Sequence, residues 1–441
     1  MEPSVLLVTM EHDATVTDKN EKWNFGTLLG QSIFLSLSYR LTSPKLVLPF
    51  LYTALGAPVV FAGLLLPIVQ ISRLISQLAS APVISGGGLR KLYIALGTII
   101  LAAALAVAGV ASDDPRAGWL AVLFMLVATI VGVGQGLSSL AYWDLFGRIV
   151  PTHRQSTLLF SQAAVSATLA ILIAIGSQHL LSHDNALDEH LELLWLGVAI
   201  AVISGVVVAL VREIPPDKPA KKNVGKDGKP ASFASELKKL YDQGVSAAQR
   251  PWFRRYNVAR VLFLSVQLAM PFYAVHAAGH HAHSHHSMST FVISSSAGII
   301  AGSFIWQRVV NRSLQAAMML APAIACAGGL IAILMEVAPE TRGVWLYGIT
   351  FFLLAFAAQG TSSATKLYLV RFTSEEERPD YLAVSNVFAG ALGVVVAFVF
   401  GTLSHLQGAV WPIWCIVAMN IVAGVYALRL DKSVIRASAR A

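Results

Sequence analysis

The chain has 441 residues, of which 56% are hydrophobic and 13% charged, with a formal net charge of +8. Soluble domains carry about 25% charged residues, so a soluble enzyme of this length is excluded. Apolar runs of about 20 residues, without period-two alternation, exclude a β-barrel and predict an all-α protein whose helices cross a bilayer.

The basic excess does not signal nucleic acid. Its Lys and Arg residues lie between the apolar runs and form no aromatic-interleaved patch, which is the pattern of orienting charges on a membrane protein. Cys326 and Cys415 both fall inside apolar runs and read as small buried hydrophobes rather than a disulfide framework.

Residues 1–24 are polar and acidic, and their one apolar stretch, 5–10, is too short for a signal-peptide core, so they predict a cytoplasmic tail. The first half, 25–211, reads as a six-helix bundle. Its first span, 26–51, holds Arg40 and Lys45, and its second, 59–82, holds Arg73. A loop at 85–91 precedes the third span, which ends before Ser112. The remaining three fall at 120–144, 156–181 and 191–211. Residues 212–255 break the pattern: Lys, Pro and Gly dominate to Pro230, a solvated linker. Beyond it Ser232 and Ser235 cap a short amphipathic helix carrying Leu237, Leu240 and Tyr241. The second half, 256–430, repeats the count with spans at 257–278, 290–310, 316–334, 344–370, 381–406 and 410–430. A basic tail, 431–441, closes the chain.

One motif is written twice. Gln135-Gly136-x-Ser138-Ser139 in the fourth span recurs as Gln359-Gly360-x-Ser362-Ser363 in the tenth, each about fifteen residues into an apolar run. In lipid every polar group needs a partner or a cavity, and parallel internal repeats are one mark of secondary transporters. The two copies therefore predict pseudo-symmetric halves with a path between them. Charge sets the orientation. With the N-terminus inside, Arg90, Lys91, Arg148, Arg154, the linker, Arg308, Arg312 and the tail all face the cytoplasm. The outer loops then keep little beyond Arg116 and Arg342.

Twelve spans in two parallel halves with a long basic linker resemble the major facilitator superfamily over essentially the whole chain. Local stretches resemble a little-characterised bacterial branch: Ser43-Pro44-Lys45-Leu46-Val47-Leu48-Pro49, 143–151, Ala259-Arg260 and Pro271-Phe272-Tyr273. The superfamily's loop signature between helices two and three survives as Gly86-Gly87-Gly88-Leu89-Arg90-Lys91, without its acidic residue. A worn second copy is similar at 306–312, with Asn311 in place of Asp. The Gly-Pro-rich fifth helix of drug antiporters is absent from 161–175. The resemblance implies an inner-membrane permease that works by alternating access, with helices one, four, seven and ten lining its cavity.

On those helices Arg40, Lys45, Arg260 and Lys366 are costly in lipid and point to a basic path for a small anionic or zwitterionic organic solute. Gln135, Ser138, Gln359 and Ser362 could bind the solute or pack helices together. Arg73 reads as structural, Arg90, Asp144, Arg148 and Arg308 as gate residues, with Asp144 and Arg148 fitting a simple interfacial ion pair equally well, and Ser296, Gly298 and Gly302 as close packing. No Asp or Glu lies near the middle of any span, which leaves facilitated diffusion, anion exchange, or coupling through His276 or Asp144.

His276, His280, His281, His283, His285 and His286 crowd the turn after the seventh span. Neutral imidazole is the commonest metal ligand, so transition-metal binding, or metal transport, is the alternative reading. The Met-x-x-x-Met and His-x-x-x-Met motifs of copper importers in the superfamily are absent. A third reading is a non-transporting sensor or assembly factor with the same fold. No nucleophile constellation or Walker loop argues for an enzyme, and no cofactor or nucleic-acid partner is expected. The expected state is a monomer in a bacterial inner membrane.

Overall fold

A computed structural model describes residues 3–85, 89–112, 117–150, 152–180, 186–213, 249–372 and 378–428, with isolated positions at 242, 244 and 246. These residues are helical and contain no strand. The amphipathic helix expected at 232–241, the tail at 431–441 and Gly86 to Gly88 of the signature loop lie outside them.

We number the helices by span. The first half holds α1 (Pro3–Leu41, resuming at Val47–Ala54), α2 (Val59–Ala62, continuing at Leu65–Ser85) and α3 (Arg90–Ala111). It continues with α4 (Ala117–Ile149), α5 (Thr152–Leu180) and α6 (Ala186–Ala209). The second half holds α7 (Pro251–Leu262 and Leu264–His281), α8 (Ser287–Arg312), α9 (Leu314–Val337), α10 (Val344–Phe372), α11 (Arg378–Gln407) and α12 (Val410–Ala427). Eleven helices among the described residues are long and apolar enough to cross a membrane. The first span falls in the two pieces of α1, neither of which is among those eleven. Below, the linker face is the one where α6 ends and α7 begins; the far face is opposite.

The break in α1 departs from the continuous helix expected over 26–51, and Pro44 accounts for it. Proline offers no N–H and disfavours helical backbone in the residue before it. The chain turns at Ser43, whose carbonyl accepts from Leu46 N at 3.2 Å and Leu48 N at 3.0 Å, before the helix resumes. Ser43 Oγ accepts the Lys45 N–H at 3.3 Å. Non-helical backbone at membrane depth is tolerated where it is buried in protein or lines a wet space. Its counterpart α7 also changes course, at Phe263, and carries Pro271 within its second piece.

The two halves repeat one packing scheme. In the first, α4 packs on α2 and α3, and α6 on α1 and α3; in the second, α10 packs on α8 and α9, and α12 on α7 and α9. The doubled motif is part of this scheme. A Cβ added at Gly136 would meet the Arg73 carbonyl oxygen at 2.5 Å, and one at Gly360 would meet the Trp306 ring at 2.4 Å. Each glycine thus admits the second helix of its own half, α2 or α8, to close range. Large apolar side chains such as Leu92, Ile99, Val122, Leu126 and Val206 stay exposed, as a face toward acyl chains requires.

Between the halves, α5 meets α8, α2 meets α11 and α1 meets α7. Hydrogen bonds that join the halves gather at the far face. Gln178 Nε2 donates to Ser289 Oγ at 2.8 Å, His190 Nε2 lies 3.2 Å from the Ala282 carbonyl, and Glu189 accepts the His286 N–H at 2.9 Å. Phe50 adds edge contacts to His190 and Phe291, with ring centroids 5.3 and 5.7 Å apart. The far face is shut.

Candidate functional site

The cations of the spans decide where a charged ligand could sit. Lys45, in the α1 break, is half-buried and lies within electrostatic range of Arg73 on α2 and of Lys366 on α10. Lys366 is in turn within range of Arg260 on α7. Lys45 and Arg73 belong to one half, Lys366 and Arg260 to the other, and the approach of Lys45 to Lys366 runs between the halves. Arg73 and Lys366 are exposed.

Lys45, Arg73, Lys366 and Arg260 form no ion pair with any carboxylate among the described residues. Tyr39 places its hydroxyl within range of Arg73. Arg260 is the most firmly held: its Nη1 donates to Ser385 Oγ at 2.7 Å and its Nη2 to Asn386 Oδ1, both on α11. Ser385 Oγ passes its own proton to Asn257 Oδ1 at 2.9 Å. Neutral oxygens thus orient the guanidinium and leave its charge uncancelled.

Arg40 stands apart. Its Nε donates to Ser166 Oγ and its Nη2 to the Ala163 carbonyl, both at 3.3 Å, so it binds α1 to α5. Ser138 is 1% exposed, in the α3–α4 seam beside Gly97. Gln359 packs against Gly302 of α8, while Gln135 and Ser362 are half-buried. The motif's Ser139 Oγ accepts from Gln77 Nε2 of α2 at 2.9 Å.

The gate candidates separate. Arg90, 1% exposed, donates from Nε to Asp144 Oδ2 at 2.7 Å, and Arg148 Nε reaches Asp144 Oδ1 at 3.2 Å. Glu213 accepts the N–H groups of Arg90 and Lys91 at 2.9 and 3.0 Å. It brings a carboxylate to the start of α3, where the helix dipole favours one. Arg308, in the second half, is exposed and draws no ion pair among the described residues.

The histidines also part company. His276 and His280 meet Glu336 of α9; His285 and His286 meet Glu189 of α6 at 3.3 and 2.8 Å. His281 Nδ1 lies 3.1 Å from Ser284 Oγ, and His283 is exposed.

No family model matches the chain. Among solved structures it is similar to the nucleoside transporter NupG, at a TM-score of 0.63 and 13% identity, covering 93% of this chain and 99% of that one. A POT family transporter in complex with 5-aminolevulinic acid gives 0.67 at 12% identity over 92% and 95%. The xylose transporter XylE from E. coli, in an inward-open conformation, gives 0.63 at 13% identity over 92% and 96%. The chain has the major facilitator fold. Among curated sequences it is 27% identical over 408 residues to the uncharacterized protein Rv2209 of Mycobacterium tuberculosis, covering 92% of this chain and 76% of that protein. The uncharacterized protein Mb2232 of Mycobacterium bovis matches to the same extent. In the terms of this fold, the four cations stand where the two bundles face one another.

Proposed function

We propose that the chain is a secondary transporter that moves a small anionic organic solute between its halves in a bacterial inner membrane, with both termini cytoplasmic. The observation that carries this reading is the set Lys45, Arg73, Lys366 and Arg260, drawn from both halves and without a carboxylate partner among the described residues. Two like charges 8 Å apart repel by about 2 kcal/mol at an effective dielectric near 20. A carboxylate or phosphate ester bound between them offsets that repulsion and links the halves.

Beyond the N-terminal part of α1, the helices keep their acids near their ends, at Asp144, Asp188, Glu189, Glu192, Glu336 and Asp380. A fixed counterion is therefore missing from the middle, and the ligand supplies it. With the halves held together at the far face, we read the present state as one facing the cytoplasm. Rocking of the halves about the breaks in α1 and α7 would complete the cycle.

The test is a thermal-shift screen of the purified full chain against organic anions, followed by flux of any hit in liposomes. Stabilisation by an anion with saturable flux is the expected result. Stabilisation without flux would favour the non-transporting sensor, and uptake restricted to metal ions would replace the solute class altogether.

A further inference from the structure

Away from the cations, the far end of α7 presents a different chemistry. His276 and His280 lie four residues apart, on one face of the helix, and Glu336 comes from the last turn of α9. Glu336 Oε2 is 3.4 Å from His276 Nε2 and 3.3 Å from His280 Nε2. One donor atom from each residue falls within 4.8 Å of the other two. We propose that His276, His280 and Glu336 form a binding site for a late first-row divalent metal ion, with zinc, cobalt and nickel as its candidates.

Two observations beyond the cluster point to a metal. The His276 side chain is 2% exposed, and its Nε2 makes no aligned hydrogen bond among the described residues, its polar neighbour being Glu336 Oε2 at 3.4 Å. A buried ring nitrogen is seldom left so, because each lost bond costs about 1–3 kcal/mol. The other ring nitrogen, Nδ1, lies 2.7 Å from the Tyr347 hydroxyl. That contact fixes the ring and, with Nδ1–H as the donor, directs the Nε2 lone pair toward Glu336 and His280. Ligating histidines are held in this way by outer partners.

Two imidazoles and one carboxylate suit a borderline divalent ion. The three donors include no sulfur, which argues against copper(I), and their nitrogens argue against calcium or magnesium. Ligation at about 2.0–2.2 Å needs the three donors to draw in slightly. The half-exposed sides of His280 and Glu336 leave a position for water. Arg342 Nη2 also lies 3.1 Å from Glu336 Oε2, so the ion either takes the other carboxylate oxygen or displaces the guanidinium. The ion would clamp α7 to α9.

Cobalt(II) titration of the metal-free, detergent-purified full chain tests this directly. One equivalent should bind and give a visible d–d absorption, displaced by zinc. His280→Gln and Glu336→Gln should each abolish the band, and Tyr347→Phe should weaken binding by about 10–100-fold. A His283→Gln, His285→Gln, His286→Gln variant should keep it. Elution as wild type on size exclusion identifies variants that fold, and binding is read without any transport assay. Stoichiometric binding that survives in His280→Gln and Glu336→Gln, loss of the band only in the loop variant, or no binding by the wild-type chain would each overturn the proposal.

Discussion

At the scale of single residues, the cations in the spans differ in what holds them. Arg40 is satisfied by the Ala163 carbonyl and Ser166, whereas Lys45 and Lys366 face other positive groups. Arg40→Gln should therefore act on stability through the α1–α5 seam, lowering the unfolding temperature while leaving anion affinity within about threefold. Lys45→Gln or Lys366→Gln should weaken anion binding by about tenfold or more, since one charge interaction of roughly 1.4 kcal/mol is a tenfold change. Isothermal titration with the best-binding anion separates the two behaviours. Lys45, Arg260 and Lys366 were legible in the sequence because charge inside an apolar run is itself a signal. Arg73 was not placed with them, since the family resemblance puts the cavity on helices one, four, seven and ten, and its meaning depends on which side of α2 faces the other half. Ser385 and Asn386, which aim Arg260, stand in a polar helix start that resembles many others.

At the scale of elements, hydropathy located the spans but could not see the turn inside the first. Averaged over 26–51 the stretch still reads as one span, although Arg40 to Lys45 is mostly polar, and the pair Ser43-Pro44 marks where the helix turns. The histidines show the opposite limit. Neighbours in sequence, they are divided between Glu336 and Glu189, which come from α9 and α6 and cannot be assigned from the loop alone. The doubled Gln-Gly-x-Ser-Ser motif reads from sequence as either solute-binding or packing, and its glycines serve packing. Gly136→Leu and Gly360→Leu should each destabilise the helix pair by about 1–3 kcal/mol through overpacking. A melting curve should show a drop of about 2–4 °C per kcal/mol, scaled from domains of 150–250 residues. Equal effects in both halves would express the pseudo-symmetry, and a silent Gly360→Leu would contradict it.

At the scale of the whole molecule, the far face is held by a small set of contacts between halves, centred on Glu189, His190, Gln178 and Phe50. Glu189 is 3% exposed and accepts both the His286 N–H and its ring nitrogen. Glu189→Gln should weaken this latch and shift the population toward a state open at the far face. A single cysteine at Ser289, with Cys326 and Cys415 replaced by Ser, should then react faster with a maleimide than in the parent. Unchanged labelling would show that apolar packing alone keeps the face shut.

The cationic space between two bundles that open in turn is the centre of this account. It is tested most directly by flux of the best-stabilising organic anion into liposomes, compared between the wild-type chain and a Lys45→Gln, Lys366→Gln variant of equal insertion. Saturable uptake by the wild type and at least a tenfold loss in the variant is the predicted result. Undiminished uptake by the variant, or uptake that prefers cations, would contradict it.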